Sequence, residues 1–199
     1  MKKLDGKVAI ITGAGRLRGI GYSSAIALAK LGAKVVVTGT GRKQENYPED
    51  EKNIGWKDVE STAEKIRELG SESLFFNLDV TDEKQVQYTM NEVYKKFKSV
   101  DILINNAAVG IGSDRNPITE VELSTFQKVV DVKVTGSYLC TKHVIPYMKN
   151  NKSGGKIVNI ASLSGKRAQV NNLAYNAANY AMVGMTQSMA KELGPFGIN

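Results

Sequence analysis

The stretch from Lys7 to Thr38 reads KVAIITGAGRLRGIGYSSAIALAKLGAKVVVT. It opens with a short apolar, β-branched segment, Lys7 to Thr12, which is the pattern of a buried strand. A glycine-rich turn follows, Gly13-Ala-Gly15-Arg-Leu-Arg-Gly19-Ile-Gly21. An alanine-rich amphipathic helix is expected from Tyr22 to Leu31, stopped by Gly32, with a second strand from Lys34 to Thr38. Strand, glycine turn, helix and strand make a right-handed βαβ unit. The glycines let the backbone turn tightly and approach a pyrophosphate, whose charge would sit on the helix N-terminus.

Outward from this unit the alternation continues. Gly39 to Lys57 is polar and turn-rich, a long loop of the kind that is functional or mobile. A helix is expected over 58–69, a strand over 74–78, and a helix to about Lys96 that Thr81 can cap. A strand over 100–104 opens into Asn105-Asn-Ala-Ala108. A long helix is expected over roughly 121–149, bent at Pro146, then a strand over 156–161 and a helix to about Leu193. Repeated β-then-α alternation predicts an α/β fold, a parallel sheet with helices on both faces. Its 199 residues suit one domain, 1–199.

The composition excludes several function classes. No apolar run approaches the ~20 residues of a membrane span, and the start lacks a signal-peptide core. The single cysteine, Cys140, permits no internal disulfide; it fits a reducing, cytoplasmic setting and reads as a buried thiol. The net charge of +7 comes from lysines interleaved with acids and no aromatic-basic ladder, so no nucleic-acid partner is expected. His143 is the only histidine, which argues against serine–histidine catalysis and histidine metal sites; it reads as a helix-surface residue.

The chemistry-bearing stretch is Ser162 to Asn179. The strand before it delivers Ser162 to a strand end, and Tyr175 lies thirteen residues on (175 − 162). Tyr175 and Asn179, four apart on a helix, share a face. A phenol beside a hydroxyl is an acid/base pair for a carbonyl or an alcohol, provided a cation lowers its pKa from about 10. The plain alternative is a buried helix aromatic.

Thr12-Gly13…Gly19-Ile20-Gly21, Asp79, Asn105-Asn-Ala, Ile157-Val-Asn-Ile, Ser162 and Tyr175 together resemble the short-chain dehydrogenase/reductase family. The resemblance implies a Rossmann-type doubly wound sheet with NAD or NADP across the strand ends. It implies coenzyme contacts at Gly13, Arg18, Gly19, Ile20, Gly21, Thr40, Arg42, Asp79, Val80, Asn106, Ala107, Lys133 and Tyr175. It implies a homodimer or homotetramer, acting on a small-molecule carbonyl or alcohol.

Four departures from the family pattern stand out. The glycine turn is two residues longer than T-G-x-x-x-G-x-G, so Arg16, Leu17 or Arg18 must bulge out. Ala108 replaces a glycine, which calls for a small local adjustment. The catalytic tetrad expects asparagine on the long helix and lysine four after the tyrosine; here Lys133 and Asn179 hold those places, as if exchanged. Polyketide synthase ketoreductase domains show a similar exchange and are active, so Lys133 could supply the cation and Asn179 a relay water. The alternative is a degraded site, hence an inactive NADP-binding sensor or scaffold. The family's C-terminal strands are also missing, which suggests a truncated chain and leaves the 156–161 strand as an edge.

For the coenzyme, Gly39 sits where an NAD-selecting acid would fall, while Arg18, Arg42 and Lys43 could grip a 2′-phosphate. The expectation is NADP(H) over NAD(H); the alternative is that these are ordinary solvated cations.

Overall fold

A computed structural model of the protein describes residues 2–199. Five strands form one parallel sheet: β1 (Val8–Ile11), β2 (Lys34–Gly39), β3 (Ser73–Asn77), β4 (Ile102–Asn105) and β5 (Lys156–Asn159). Their spatial order is β3-β2-β1-β4-β5. Seven helices join them: α1 (Ile20–Lys30), α2 (Glu49–Asn53), α3 (Val59–Glu68), α4 (Glu83–Phe97), α5 (Leu123–Val130), α6 (Gly136–Lys149) and α7 (Leu173–Leu193). This is the expected doubly wound, Rossmann-type fold.

Helices lie on both faces of the sheet, burying its three central strands, and the strand side chains divide between the faces with period two. Ala9, Ile11, Val35 and Val37 pack on Ala25 and Ala29 of α1 and Ala63 and Ile66 of α3. Val8, Ile10 and Val36 pack on Val86, Met90 and Val93 of α4 and on Leu139, Cys140 and Val144 of α6. Ile10 and Leu103 are fully buried, so truncating either to alanine should cost about 2–5 kcal/mol. The chain steps outward from β1 to β3 and returns to place β4 on the other side of β1. That reversal opens a crevice beyond the carboxyl ends of β1 and β4.

Three local expectations are corrected. The cap of α4 is Asp82, whose carboxylate accepts from the backbone N–H groups of Lys84 and Gln85; Thr81 instead donates to Asp79. Asp82 wins because it directly precedes the helix and carries two acceptor oxygens. The long helix runs through Pro146, and its irregularity lies earlier, in a π-helical turn from Asp131 to Thr135. The β5 edge is not bare either: Gly155 pairs with Ile198, and Ile157 N–H donates to the Asn199 carbonyl at 2.8 Å.

The 40–57 segment is a built strap. Glu51 on α2 is 1% exposed. Its carboxylate accepts from Arg16 Nε and Leu17 N–H at 2.9 Å each, and from Arg42 Nη2 at 3.1 Å. Trp56 donates from Nε1 to the Gly15 carbonyl at 2.7 Å and meets Tyr22 edge-on. The two extra residues of the glycine turn are thus held by an acid from the strap, which accounts for the bulge at Arg16-Leu17.

His143 Nε2 lies 2.9 Å from Glu83 Oε1, tying α6 to α4. Among the described residues no helix is long and apolar enough to cross a membrane, and no cluster of acids, cysteines or histidine could hold a metal ion.

Two outcomes are expected. Glu51→Ala should cost about 3 kcal/mol, the low end for a broken buried ion pair because Arg16 stays solvated, and so lower Tm by roughly 6–12 °C in a thermal melt. Burial pushes the Cys140 thiol up to about 12, so a thiol reagent at pH 8 should react only after denaturation. Rapid labelling of the native chain would contradict this.

Candidate active site

The crevice is shaped by side chains at the two strand ends. Thr12 Oγ1 accepts from the N–H groups of Asn106 (3.0 Å) and Ala107 (3.1 Å). Asn106 Nδ2 donates back to the carbonyls of Thr12 and Gly13, at 2.9 Å each. Gly13 has φ +67°, and a Cβ there would fall 2.8 Å from Ala107 Cα. A Cβ on Gly21 would fall 2.7 Å from Asn106 Nδ2. These glycines let the turn lie against β4. Ala108 takes no positive φ, so its replacement of glycine is absorbed without strain.

Helix α1 begins just past this turn. Gly19 is its cap residue, no side chain among the described residues caps it, and its first turn holds no acid. Its leading N–H groups are therefore available to an anion. The crevice is lined by Gly13, Thr40, Arg42, Asp79, Val80 and Ala107 among others. Gly19, Ile20 and Gly21 form the start of α1 instead. An uncapped helix end facing a glycine cradle fits a dinucleotide pyrophosphate.

The basic residues expected to meet a 2′-phosphate are already engaged. Arg18 Nε lies 3.1 Å from Asp50 Oδ2 on the surface. Arg42 donates from Nε to Asp58 Oδ2 (3.2 Å) and from Nη2 to Glu51 and to the Gly15 carbonyl. Lys43 is exposed, 3.9 Å from Glu45. Asp58 was not singled out from sequence; no fixed spacing marks it beyond its place before a helix.

The second part of the site lies beyond β5. Ser162 caps the 3-10 turn Leu163–Gly165, accepting the Ser164 N–H at 3.2 Å. That turn packs on α7: a Cβ on Gly165 would fall 2.8 Å from the Asn179 carbonyl. Asn179 is fully buried; its Nδ2 donates to the Tyr175 carbonyl at 2.8 Å, and its Oδ1 has no partner among the described residues. Lys133, on the π turn, is 5% exposed, and its Nζ donates to the Ile160 carbonyl at 2.5 Å. Burial lowers its pKa from the ordinary lysine range.

Elements carrying all four residues therefore converge at the carboxyl end of β5. The four side chains do not hydrogen-bond one another. The cation against the Tyr175 ring is Arg115, whose Cζ lies 3.9 Å from the ring centroid. Arg115 pairs with Asp114 and donates to Asn172 at the start of α7. Sequence reading missed it, since it sits in a polar loop sixty residues upstream (175 − 115) with no motif around it.

Among the apolar residues of α5 and α7, where an oligomer interface would fall, Val129 and Met182 are core, while Val130 and Met185 are half-buried.

The family model described as short chain dehydrogenase matches residues 7–199. A 3-oxoacyl-[acyl-carrier-protein] reductase of Synechocystis is 34% identical over 198 residues, covering 100% of this chain and 72% of its own. Galactitol 2-dehydrogenase of Agrobacterium fabrum is 33% identical, with 99% and 68% covered. Carveol dehydrogenase from Mycobacterium avium, solved in complex with NAD, superposes with a TM-score of 0.86 at 26% identity, covering 100% of this chain and 70% of that one. The chain spans about two thirds of the length of its curated relatives, 65% in one case. The match runs from the first strand to the last residue of the described fold, and on that ground the chain belongs to the short-chain dehydrogenase family of oxidoreductases.

Proposed function

We propose that the chain interconverts a ketone and a secondary alcohol, with Tyr175 as the general acid and base. The observation that carries this is the convergence at β5. Lys133 reaches the Ile160 carbonyl, two residues before Ser162, and the Ser162 turn packs on α7 one helical turn past Tyr175. A bound nicotinamide coenzyme supplies or accepts the hydride; Gly13, Gly21, the α1 N-terminus and Ala107 would hold it.

The chain's own residues handle the proton. Ser162 Oγ already accepts from Ser164, so its hydroxyl hydrogen is free to bond the carbonyl oxygen as negative charge develops there. Tyr175 gives that oxygen its proton in reduction and removes it in oxidation. A tyrosinate then needs positive charge nearby. Lys133 is proposed for that role, in exchange with the lysine that position 179 lacks. Burial disfavours the charged lysine, and a neighbouring phenolate acts in the opposite sense. The buried, unpartnered Asn179 Oδ1 supports a place for a relaying water.

For the coenzyme, Arg18, Arg42 and Lys43 are the ground for NADP(H). The ion pairing of Arg18 and Arg42 favours a second reading, NAD(H). A homodimer or homotetramer through α5 to α7 and a cytoplasmic setting remain part of this proposal; the free, buried Cys140 supports the latter.

Oxidation of reduced coenzyme against a panel of ketones tests the reading. Tyr175→Phe should lower kcat by about 10²–10⁴, the usual worth of a positioned acid, with coenzyme affinity nearly unchanged. Lys133→Met, which keeps the bulk, should lower kcat about tenfold or more, one interaction's worth of barrier. Full activity in Lys133→Met would sink the exchange, and a folded chain that binds coenzyme but reduces no ketone would favour a sensor.

A further inference from the structure

We propose that Asp58 is the residue that reads the adenosine ribose and makes this chain select NAD(H) over NADP(H). This rests on the nicotinamide-coenzyme reading above.

Three features of Asp58 point the same way. It adopts φ 53°, ψ −132°, a backbone conformation rare for a residue with a side chain. Such outliers persist where the surroundings enforce them, and they gather at binding sites. Its carboxylate is also split in function. Oδ2 accepts from Arg42 N–H at 3.0 Å and Arg42 Nε at 3.2 Å. Oδ1 receives no hydrogen bond from a described residue and lies over the two glycines that edge the crevice. A Cβ on Gly15 would fall 1.3 Å from it, and a Cβ on Gly39 would fall 3.4 Å from it. Gly15 is thus glycine because Asp58 occupies the space.

The position of Oδ1 is the third feature. Gly39 ends β2, where a side-chain acid would meet a ribose diol, and Gly39 has none. Asp58, arriving from the start of α3 nineteen residues later (58 − 39), brings a carboxylate to that place and lines the crevice beside Gly39 and Thr40. A free carboxylate oxygen accepts from ribose hydroxyls and repels a 2′-phosphate.

The surrounding charges do not offset this. Arg42 is shared between Asp58 and Glu51, and Arg16 pairs with Glu51 from the other side. Arg18 pairs with Asp50. Lys43, whose side chain is 80% exposed, faces Glu45. Each of these cations already has a carboxylate, and the buried Glu51 keeps Arg42 from swinging toward a phosphate.

Fluorescence titration tests this without turnover. Trp56 is the only tryptophan and bonds to Gly15, so its emission reports binding at this rim. NADH should bind at least about tenfold more tightly than NADPH, the ratio that one ordinary charge contact gives. Asp58→Asn retains an oxygen for Arg42 and tolerates the backbone conformation, so the chain should still fold, with Tm lowered by about 2–4 °C for the lost charge pair with Arg42. It should narrow the preference about tenfold, chiefly by strengthening NADPH. A wild-type chain that prefers NADPH, or an Asp58→Asn chain with an unchanged ratio, overturns the assignment. If neither nucleotide binds, the coenzyme reading itself fails, and the assignment with it.

Discussion

The closure between Asn106 and the end of β1 is the contact on which the other arrangements rest. One side chain donates to two consecutive carbonyls, those of Thr12 and Gly13, while Thr12 Oγ1 receives two N–H groups from the β4 end. Backbone groups at the tip of a parallel sheet have no further strand to pair with, and a buried unpaired group is costly. Here they satisfy one another across the switch point. The result ties the ends of β1 and β4 together beside the start of α1, where Gly21 lies against Asn106.

A second layer of order comes from the strap. A buried carboxylate is tolerated only when paired and hydrogen-bonded, and Glu51 has three donors. The lengthened glycine turn and the strap therefore depend on one another. The strap also fixes Arg42, and through Arg42 it fixes Asp58. A change in the loop that alters any of these groups would alter the rim of the crevice.

Much of the fold was legible because its signals are local. Apolar β-branched runs at 7–12, 34–38 and 100–104, each followed by a glycine or asparagine turn, mark strands wherever they occur. The positions of Ser162 and Tyr175 followed from a strand end and a helical spacing. What sequence reading could not supply are pairings between loops. Glu51 meets Arg16 thirty-five residues away, Asp58 meets Gly15, and Arg115 meets Tyr175. No spacing rule announces such contacts, because loop conformation decides them. The π turn at Asp131 to Thr135 is similar: nothing in Asp-Val-Lys-Val-Thr breaks a helix, yet the extra residue per turn falls where Lys133 turns in toward Ile160. Pro146 and Thr81 misled for the opposite reason, since a strong local preference yielded to packing and to a better neighbouring cap.

The central claim is that a carbonyl carbon and a nicotinamide ring meet at the end of β5, with Tyr175 beside them. Isotope transfer addresses it most directly. Secondary alcohols deuterated at the carbinol carbon would be incubated with the protein and oxidised coenzyme, and the reduced coenzyme examined by mass spectrometry. The account predicts one deuterium per reduced nicotinamide from at least one alcohol. Saturable coenzyme binding with no deuterium transferred from any of them would contradict it.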